Sequence, residues 1–309
     1  MDLQVIVGAG PVGRATARLL ADRGDRVRII SRRGGGPDHP GIERVAADAG
    51  DPNRLVEVTA GAAVVYNCVN PAYHRWATDW PPIAASLLTA AERHGAVLAT
   101  VSNLYGYGPV DAPMTEQTPI RPAGVKGQVR ARMWQDAQAA HQAGRIRTTE
   151  VRGSDYLGAD AQTIFTRLVV PKVLAGRQAL VPADLDAPHS WTYVGDVART
   201  LVAVATDERA WGRAWHVPSQ PPESIRGLAD RLVELAGVRP ARLATMPAPV
   251  LWLGGLFDPT VRELRETAYQ FRRPFVLDSS AATAAFGIEP TPLATALRET
   301  AGLPPVTGD

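Results

Sequence analysis

Three observations predict an α/β fold, a doubly wound parallel sheet followed by a smaller C-terminal α/β lobe. The first half of the chain alternates short β-rich runs with helical runs, the pattern of successive βαβ units. The first β-run, Leu3–Val7, breaks directly into Gly8-Ala9-Gly10-Pro11-Val12-Gly13 and then into an amphipathic run to about Arg23. After Arg152 the alternation fades, and Pro171, Pro182, Pro188, Pro218, Pro221 and Pro222 punctuate shorter elements.

Taken in order, strands are predicted at Leu3–Val7, Arg26–Ile30, Glu43–Ala47, Ala63–Asn67, Val97–Val101 and Thr148–Arg152. Helices are predicted at Val12–Arg23, Pro52–Thr59, Pro82–His94 and Gly127–Ala143, with Pro52 and Pro82 in first turns, where a missing N–H costs nothing. The segment Trp191–Ala198 and a helix to about Thr206 are expected to return to the first lobe. The nucleotide-binding domain is therefore read as 1–152 plus about 190–207, and the substrate lobe as about 153–189 and 208–309. Further helices are expected near Ser224–Ala236, Pro259–Tyr269 and Pro292–Thr300.

Composition narrows the classes. A chain of 309 residues with 45% hydrophobic content can bury a large core. Its net charge of +2 gives no nucleic-acid footprint. Cys68 stands alone, which excludes an internal disulfide and a cysteine-rich metal site, and the scattered histidines leave the metal expectation at none. The apolar run Ala248–Phe257 holds a proline and two glycines and is too short to span a bilayer. The expectation is a soluble, cytoplasmic monomer or homodimer that handles a small molecule and binds neither membrane nor nucleic acid. Of the 33 basic residues only Lys126 and Lys172 are lysines, so each invites the question why arginine would not serve.

The glycine run is a dinucleotide fingerprint of the Rossmann type, because its context is strand, turn, helix. Gly8 permits the tight turn, Gly10 lets backbone N–H groups approach a pyrophosphate, and Gly13 allows close helix–strand packing. Pro11 and Val12 open the helix whose N-terminus attracts the anion. A P-loop is excluded, since Arg14 and Ala15 stand where Lys and Ser/Thr belong. An NAD site ends its second strand in an acid that holds the ribose; here the position reads Ser31-Arg32-Arg33, which suits a 2′-phosphate. NADP(H) is accordingly expected over NAD(H), the alternative being a solvated basic loop. Asp48, with Ala49, is placed to accept from an adenine amino group or to cap a helix, a role that Asp51 also fills. Cys68-Val69-Asn70 is expected to pass under the nicotinamide ribose, unless Asn70 only forms a turn.

With these residues assembled, the chain resembles the extended short-chain dehydrogenase/reductase superfamily, in its NAD-dependent epimerase/dehydratase-like branch. The resemblance is carried by Gly8-x-Gly10-x-x-Gly13, Asp48, the Asn70 region, Ser102-Asn103-Leu104-Tyr105-Gly106-Tyr107-Gly108-Pro109, Arg152-Gly153-Ser154-Asp155-Tyr156-Leu157-Gly158 and Tyr193-Val194-x-Asp196-Val197-Ala198. It implies catalysis by a Ser/Thr, a Tyr and a Lys, the last two spaced Tyr-x-x-x-Lys, the cation lowering the phenol pKa.

That spacing is absent, because Pro122 lies four residues before Lys126 and Leu168 four before Lys172. Lys126 nevertheless falls where the family's Lys resides, at the start of a helix, and is read as a ribose ligand or else a surface charge. A shifted alignment sets Ala123 and Gly127 over the missing pair instead. Tyr105 is the candidate proton donor, Ser102 and Asn103 the groups that orient a carbonyl, and Tyr107 a structural part of the turn. Tyr73, His74, Trp76, Tyr105, Tyr156, Trp191 and Tyr193 are candidate substrate-pocket residues, with Trp252 beside them; aromatic residues in this number serve equally as core. Two functions stay open: an NADP(H)-dependent oxidoreductase or epimerase acting on a carbonyl/alcohol carbon, and a nucleotide-binding protein without redox turnover.

Overall fold

The computed structural model describes residues 2–247, 263 and 265–305. Trp252, residues 259–262 and 264 of the helix expected at Pro259–Tyr269 and the run Ala248–Phe257 lie outside the described residues. The strands in chain order are β1 (Leu3–Val7), β2 (Arg26–Ser31), β3 (Ile42–Ala46), β4 (Ala62–Asn67), β5 (Val97–Asn103), β6 (Arg147–Gly153), β7 (Asp155–Leu157), β8 (Ala179–Val181), β9 (Trp191–Tyr193), β10 (Ala214–His216) and β11 (Leu243–Thr245). The helices are α1 (Pro11–Asp22), α2 (Pro52–Val58), α3 (Trp76–His94), α4 (Val125–Gln142), α5 (Val170–Leu174), α6 (Val194–Thr206), α7 (Ile225–Ala236), α8 (Ser280–Phe286) and α9 (Leu293–Ala301).

Seven strands form one sheet, ordered β10-β6-β5-β4-β1-β2-β3, and every pairing in it is parallel. Because helices cover both faces, its central strands are nearly continuous apolar runs. On one face Ile6, Ile29, Tyr66 and Val101 pack with α1 and α6; on the other Val5, Val7, Val65 and Leu98 pack with α2, α3 and α4. Alternate residues of β1 thus feed two cores, so a one-residue register slip would exchange both sets. The strand order reverses between β1 and β4, and a crevice opens past the carboxyl ends of strands at such a switch point.

Two expectations need correction. β10 completes the main sheet beside β6, and α8 packs on it through Phe286, whose ring lies 4.8 Å from that of Trp215. Residues assigned by sequence to the substrate lobe therefore cover an edge of the first sheet that would otherwise present unpaired backbone. The third helix also begins at Trp76 rather than Pro82, so that Pro81 and Pro82 sit inside it. The bonds forgone there are offset by Trp76 and Trp80, one turn apart and both buried. Pro52 does occupy a first turn, and Asp51 caps α2 by accepting from the backbone N–H groups of Asn53 and Arg54.

The second lobe has its own core of Phe165, Val169, Val173, Trp191, Leu228 and Leu232, braced by the parallel pairs β7–β9 and β8–β11. Asp196, 1% exposed at the start of α6, accepts from Thr291 N (2.8 Å), Thr291 Oγ1 (2.6 Å) and Arg199. The acidic residue of Tyr193-Val194-x-Asp196 is therefore a structural staple.

Candidate functional site

At the switch point the glycine turn is built by exclusion of side chains. Gly8 has φ +110°, and a Cβ there would lie 2.5 Å from Cys68 O; a Cβ on Gly13 would lie 1.9 Å from Gly8 O. Gly10, in contrast, has nothing within 4 Å of where its Cβ would stand, and it leaves the N-terminus of α1 without a side-chain cap. Free N–H groups and the positive end of the helix dipole therefore face open space, an arrangement that fits a pyrophosphate.

That space is a cleft of ≈ 570 Å³. Gly8 and Gly10 line its floor, Cys68, Val69 and Asn70 one end, Asp48 and Ala49 a side, and Ser31, Arg32 and Arg33 the far rim. Pro11, Val12 and Gly13 stand behind the floor as the first residues of α1. Ser31 Oγ donates to Gly35 O (3.0 Å), which folds the glycine loop back over the rim, and Asp48 Oδ1 accepts from Gly50 N (2.9 Å). The same wall holds Arg75, from the run Tyr73–Trp76 that the sequence offered as ligand-like, and two residues that sequence reading missed, Thr78 and Asp79 at the start of α3. Arg75 Nη2 lies 2.8 Å from Asp79 Oδ1, and the hydrogen bond from Arg75, with the charge of Arg32 further off, holds the Asp79 carboxyl below the usual range. Burial pushes the Cys68 thiol up to about 12, so it is no thiolate nucleophile.

Past β5 and β6 the site changes character. Asn103 Oδ1 accepts from Tyr105 N (3.1 Å) and shapes the turn that carries Tyr105, while Ser102 is 2% exposed. The Tyr73 hydroxyl donates to that of Tyr105 (3.3 Å) and bonds Thr267 Oγ1 at 3.0 Å. Tyr156 donates from its hydroxyl to Ser102 O (3.3 Å). All three phenols are pushed up by burial, that of Tyr73 to about 12. Ser102, Asn103, Tyr73, Tyr105 and Tyr156 are thus brought to one place.

Lys126 is in the first turn of α4, 2% exposed, its ammonium 4.6 Å from the centre of the Tyr73 ring. It is no surface charge. Its Nζ pairs with Glu263 and, at 3.2 Å, with Glu266, whose other oxygen accepts from Lys126 N at 2.6 Å. Lys126 does not line the cleft. One turn further along α4 stands Arg130, which sequence reading passed over among so many arginines. The helix thus presents Lys126-x-x-x-Arg130 at the spacing in which Tyr-x-x-x-Lys was sought.

Of the other predicted pocket residues, Trp76 stays beside Tyr73 and Tyr105, its ring centroid 5.4 and 6.1 Å from theirs, and the rest are elsewhere. Trp76, 3% exposed, lies between Tyr73, Trp80 and Arg130, and Trp191, 4% exposed, packs against Phe165 and His189; both are core, as flat apolar surface inside a lobe must be. Tyr193 bonds Glu299 at the outer side of the second lobe. His74 is exposed on the 3₁₀ turn before α3. Tyr107, 1% exposed, bonds His216 Nε2 (2.8 Å) and accepts from Arg152 (2.7 Å), which also pairs with Glu150 (2.7 Å); it is structural, as its place in the turn implied. Asp155, beside the phenols, is bonded by the buried His189 (3.0 Å), a pairing across 34 residues that no local motif announces.

Sequence and structure comparisons agree with the fold. The sequence model of the NAD dependent epimerase/dehydratase family matches residues 5–217. Among curated proteins none matches this chain in sequence. Solved structures with the same fold include a dTDP-glucose 4,6-dehydratase from Bacillus anthracis in complex with NAD, with 16% identity, TM-score 0.80, and coverage of 98% of this chain and 96% of that one. A UDP-glucose 4-epimerase with UDP-glucose from Thermotoga maritima has 16% identity and TM-score 0.78, with 98% of each chain covered. A UDP-glucuronic acid 4-epimerase from Bacillus cereus, in complex with UDP-glucuronic acid and NAD, has 16% identity and TM-score 0.79, covering 97% and 98%.

Proposed function

Since the chain belongs to the NAD-dependent epimerase/dehydratase family, we propose that it is an NADP(H)-dependent enzyme acting on a carbonyl/alcohol carbon of a small organic molecule. The observation that carries the reading is the cleft itself: an uncapped helix N-terminus at one side and Ser31-Arg32-Arg33 at the far rim, with no acid ending β2. Two guanidinium groups and a hydroxyl supply the donors that a 2′-phosphate requires and a free ribose does not. Asp48 and Ala49 would flank the adenine, and Cys68, Val69 and Asn70 the nicotinamide ribose.

When bound, the nicotinamide supplies or accepts a hydride at carbon. The chain's own part is to hold the substrate oxygen near Ser102 and Asn103 and to exchange a proton with it through one of the phenols. Solved neighbours carry sugar nucleotides, so a nucleotide sugar is the first substrate class to try. The test follows the absorbance of the reduced nicotinamide while NADPH-loaded protein meets a panel of nucleotide sugars, ketones and aldehydes. Oxidation of NADPH by any member supports the reading.

A second reading draws on Lys126. Its charge is matched by Glu263 and Glu266, and the phenol beneath it is pushed up rather than down, which is not how a Lys activates a Tyr. A nucleotide-binding protein without redox turnover is consistent with that arrangement. Tight NADPH binding with no oxidation across the panel would favour it.

A further inference from the structure

His189 is held where its ring cannot choose its partners. Its backbone is bridged by Phe275 and by Glu223, and its side chain is buried. Nδ1 lies 3.1 Å from Gln270 O, and Nε2 lies 3.0 Å from Asp155 Oδ2, with Ser154 Oγ at 3.4 Å. A carbonyl oxygen only accepts, so Nδ1 carries a hydrogen. In a neutral imidazole the other nitrogen is then a bare acceptor, and here it faces a carboxylate oxygen that also only accepts. The contact is attractive only when one further proton lies between Nε2 and Oδ2. Three aromatic rings favour positive charge on the imidazole: Phe271 and Phe275 stack on it with centroids 5.0 and 5.4 Å away, and Trp191 lies at 4.7 Å.

The pair runs from the core of the second lobe to the crowded end of the crevice. Asp155 is two residues beyond Gly153, where β6 ends in register with Asn103 of β5, so it stands past the carboxyl ends of the sheet strands. Its side chain is 15% exposed, and its Oδ1 makes no hydrogen bond among the described residues. The next residue, Tyr156, reaches Ser102 O, and the charge of Asp155 is felt by Tyr73, Tyr105 and Tyr156 alike. Gln270 closes the link, since its backbone carbonyl takes the His189 N–H while its side chain bonds Tyr105. Tyr105 in turn accepts from Tyr73. A phenol pushed up by burial gives its proton reluctantly and, once ionised, takes one back readily. Carboxylic acid and imidazolium are both ordinarily far stronger acids than phenol, so a proton held by either passes downhill to a phenolate.

We propose that Asp155 and His189 hold one proton between them and that this pair reprotonates the phenol that serves the substrate oxygen. The inference rests on the redox reading above. In the reductive direction the nicotinamide is oxidised as its hydride reaches the carbonyl carbon, while the phenol O–H bond breaks and an O–H bond forms on the substrate oxygen. The pair then loses its proton to the phenolate, which restores the phenol O–H bond. The two acceptors left facing each other draw a proton back from solvent through the exposed edge of Asp155. Both residues act through the phenol and are positioning residues. The titratable groups facing the pair are Tyr73, Tyr105 and Tyr156, with Lys126 and Glu266 behind Tyr73. Glu223, bridged to His189 through its backbone, turns its carboxylate to Ser224 N and Arg231.

The test begins with NMR of the intact chain near neutral pH, reading the ¹⁵N signals of the His189 ring and the ¹³C signal of the Asp155 carboxyl, both assigned through the backbone. The expected result is hydrogen on Nδ1 and one more proton shared between Nε2 and the carboxyl. An ionised Asp155 beside a ring with a single hydrogen overturns the proposal, and the parent spectrum decides this whether or not any variant folds. Asp155→Asn then separates proton from staple, because its amide N–H can donate to Nε2 and keep the contact. With a substrate that the NADPH panel reveals, this variant should lose roughly 100-fold in kcat while its thermal midpoint and its calorimetric affinity for NADPH stay unchanged. Full turnover in a folded Asp155→Asn protein overturns the role in proton transfer. A parent that binds NADPH but oxidises none of it across the panel sinks the redox reading and this role with it, while the spectrum still decides the shared proton.

Discussion

The two ends of the crevice are made by opposite means. Past β1 to β4 the cleft is open and defined by what is missing: side chains at Gly8 and Gly10, a cap on α1, an acid on β2. Past β5 and β6 it is crowded, with three phenols, a lysine held by two carboxylates and an arginine held by two indoles. The open end depends on backbone geometry, which tolerates little change in sequence. The crowded end depends on side-chain charge, which different residues can supply from different elements.

The largest effect is expected where a buried pair supports the crowded end. Arg152→Met leaves Glu150 unpaired at 3% exposure and should destabilise the fold by about 3–5 kcal/mol in urea titration. If instead stability hardly changes, the network behind Tyr107 is not what holds β6 to β10. At the open end Gly13→Ala must displace backbone, because the new Cβ would meet Gly8 O at 1.9 Å. A cost of about 1–3 kcal/mol is expected, together with loss of NADPH binding measured by calorimetry. Gly10→Ala is the control that sharpens the contrast. It has room for its methyl and should leave stability nearly unchanged, while weakening NADPH only if a pyrophosphate approaches there.

Replacing Arg32 and Arg33 together by alanine should weaken NADPH roughly 10- to 100-fold and leave NADH almost unaffected. Equal losses for both nucleotides would mean that the rim acts through general charge rather than on a 2′-phosphate.

The smallest effect concerns pH. Burial holds the His216 imidazole below its ordinary value, and in the fold its Nε2 pairs with the Tyr107 hydroxyl. Above about 6.5 neither folded nor unfolded chain protonates it, and its contribution to stability is complete. As pH falls from there towards the lowered folded value, the unfolded chain takes up a proton that the folded chain refuses, so stability declines by at most about 1.4 kcal/mol per pH unit. His216→Asn should flatten that part of a urea-midpoint profile taken from pH 7.5 to 5. A profile no flatter than that of the parent would assign the decline to carboxylates.

How much was legible follows the same division. Strands β1 to β6 and the glycine turn could be read because their information is local: apolar runs bounded by turns, and glycines at fixed offsets. The sheet's seventh strand escaped notice because three residues, Ala214–His216, carry too little pattern. The start of α3 was misplaced because Pro82 looked like a first-turn proline, whereas packing of Trp76 and Trp80 carries the helix through it. At the crowded end the pieces come from positions 73, 105, 126, 130, 156 and 266, joined only by the fold. Searching for Tyr before Lys126 hid Arg130 after it, although an i, i+4 pair of cations at a helix start was visible in the sequence.

The most direct test of the central claim is calorimetric titration of the intact chain with NADPH and NADH side by side at one salt concentration. The cleft described here predicts that NADPH binds at least about tenfold more tightly, with the difference lost in the Arg32/Arg33 double variant. Equal affinity, or tighter binding of NADH, would contradict it.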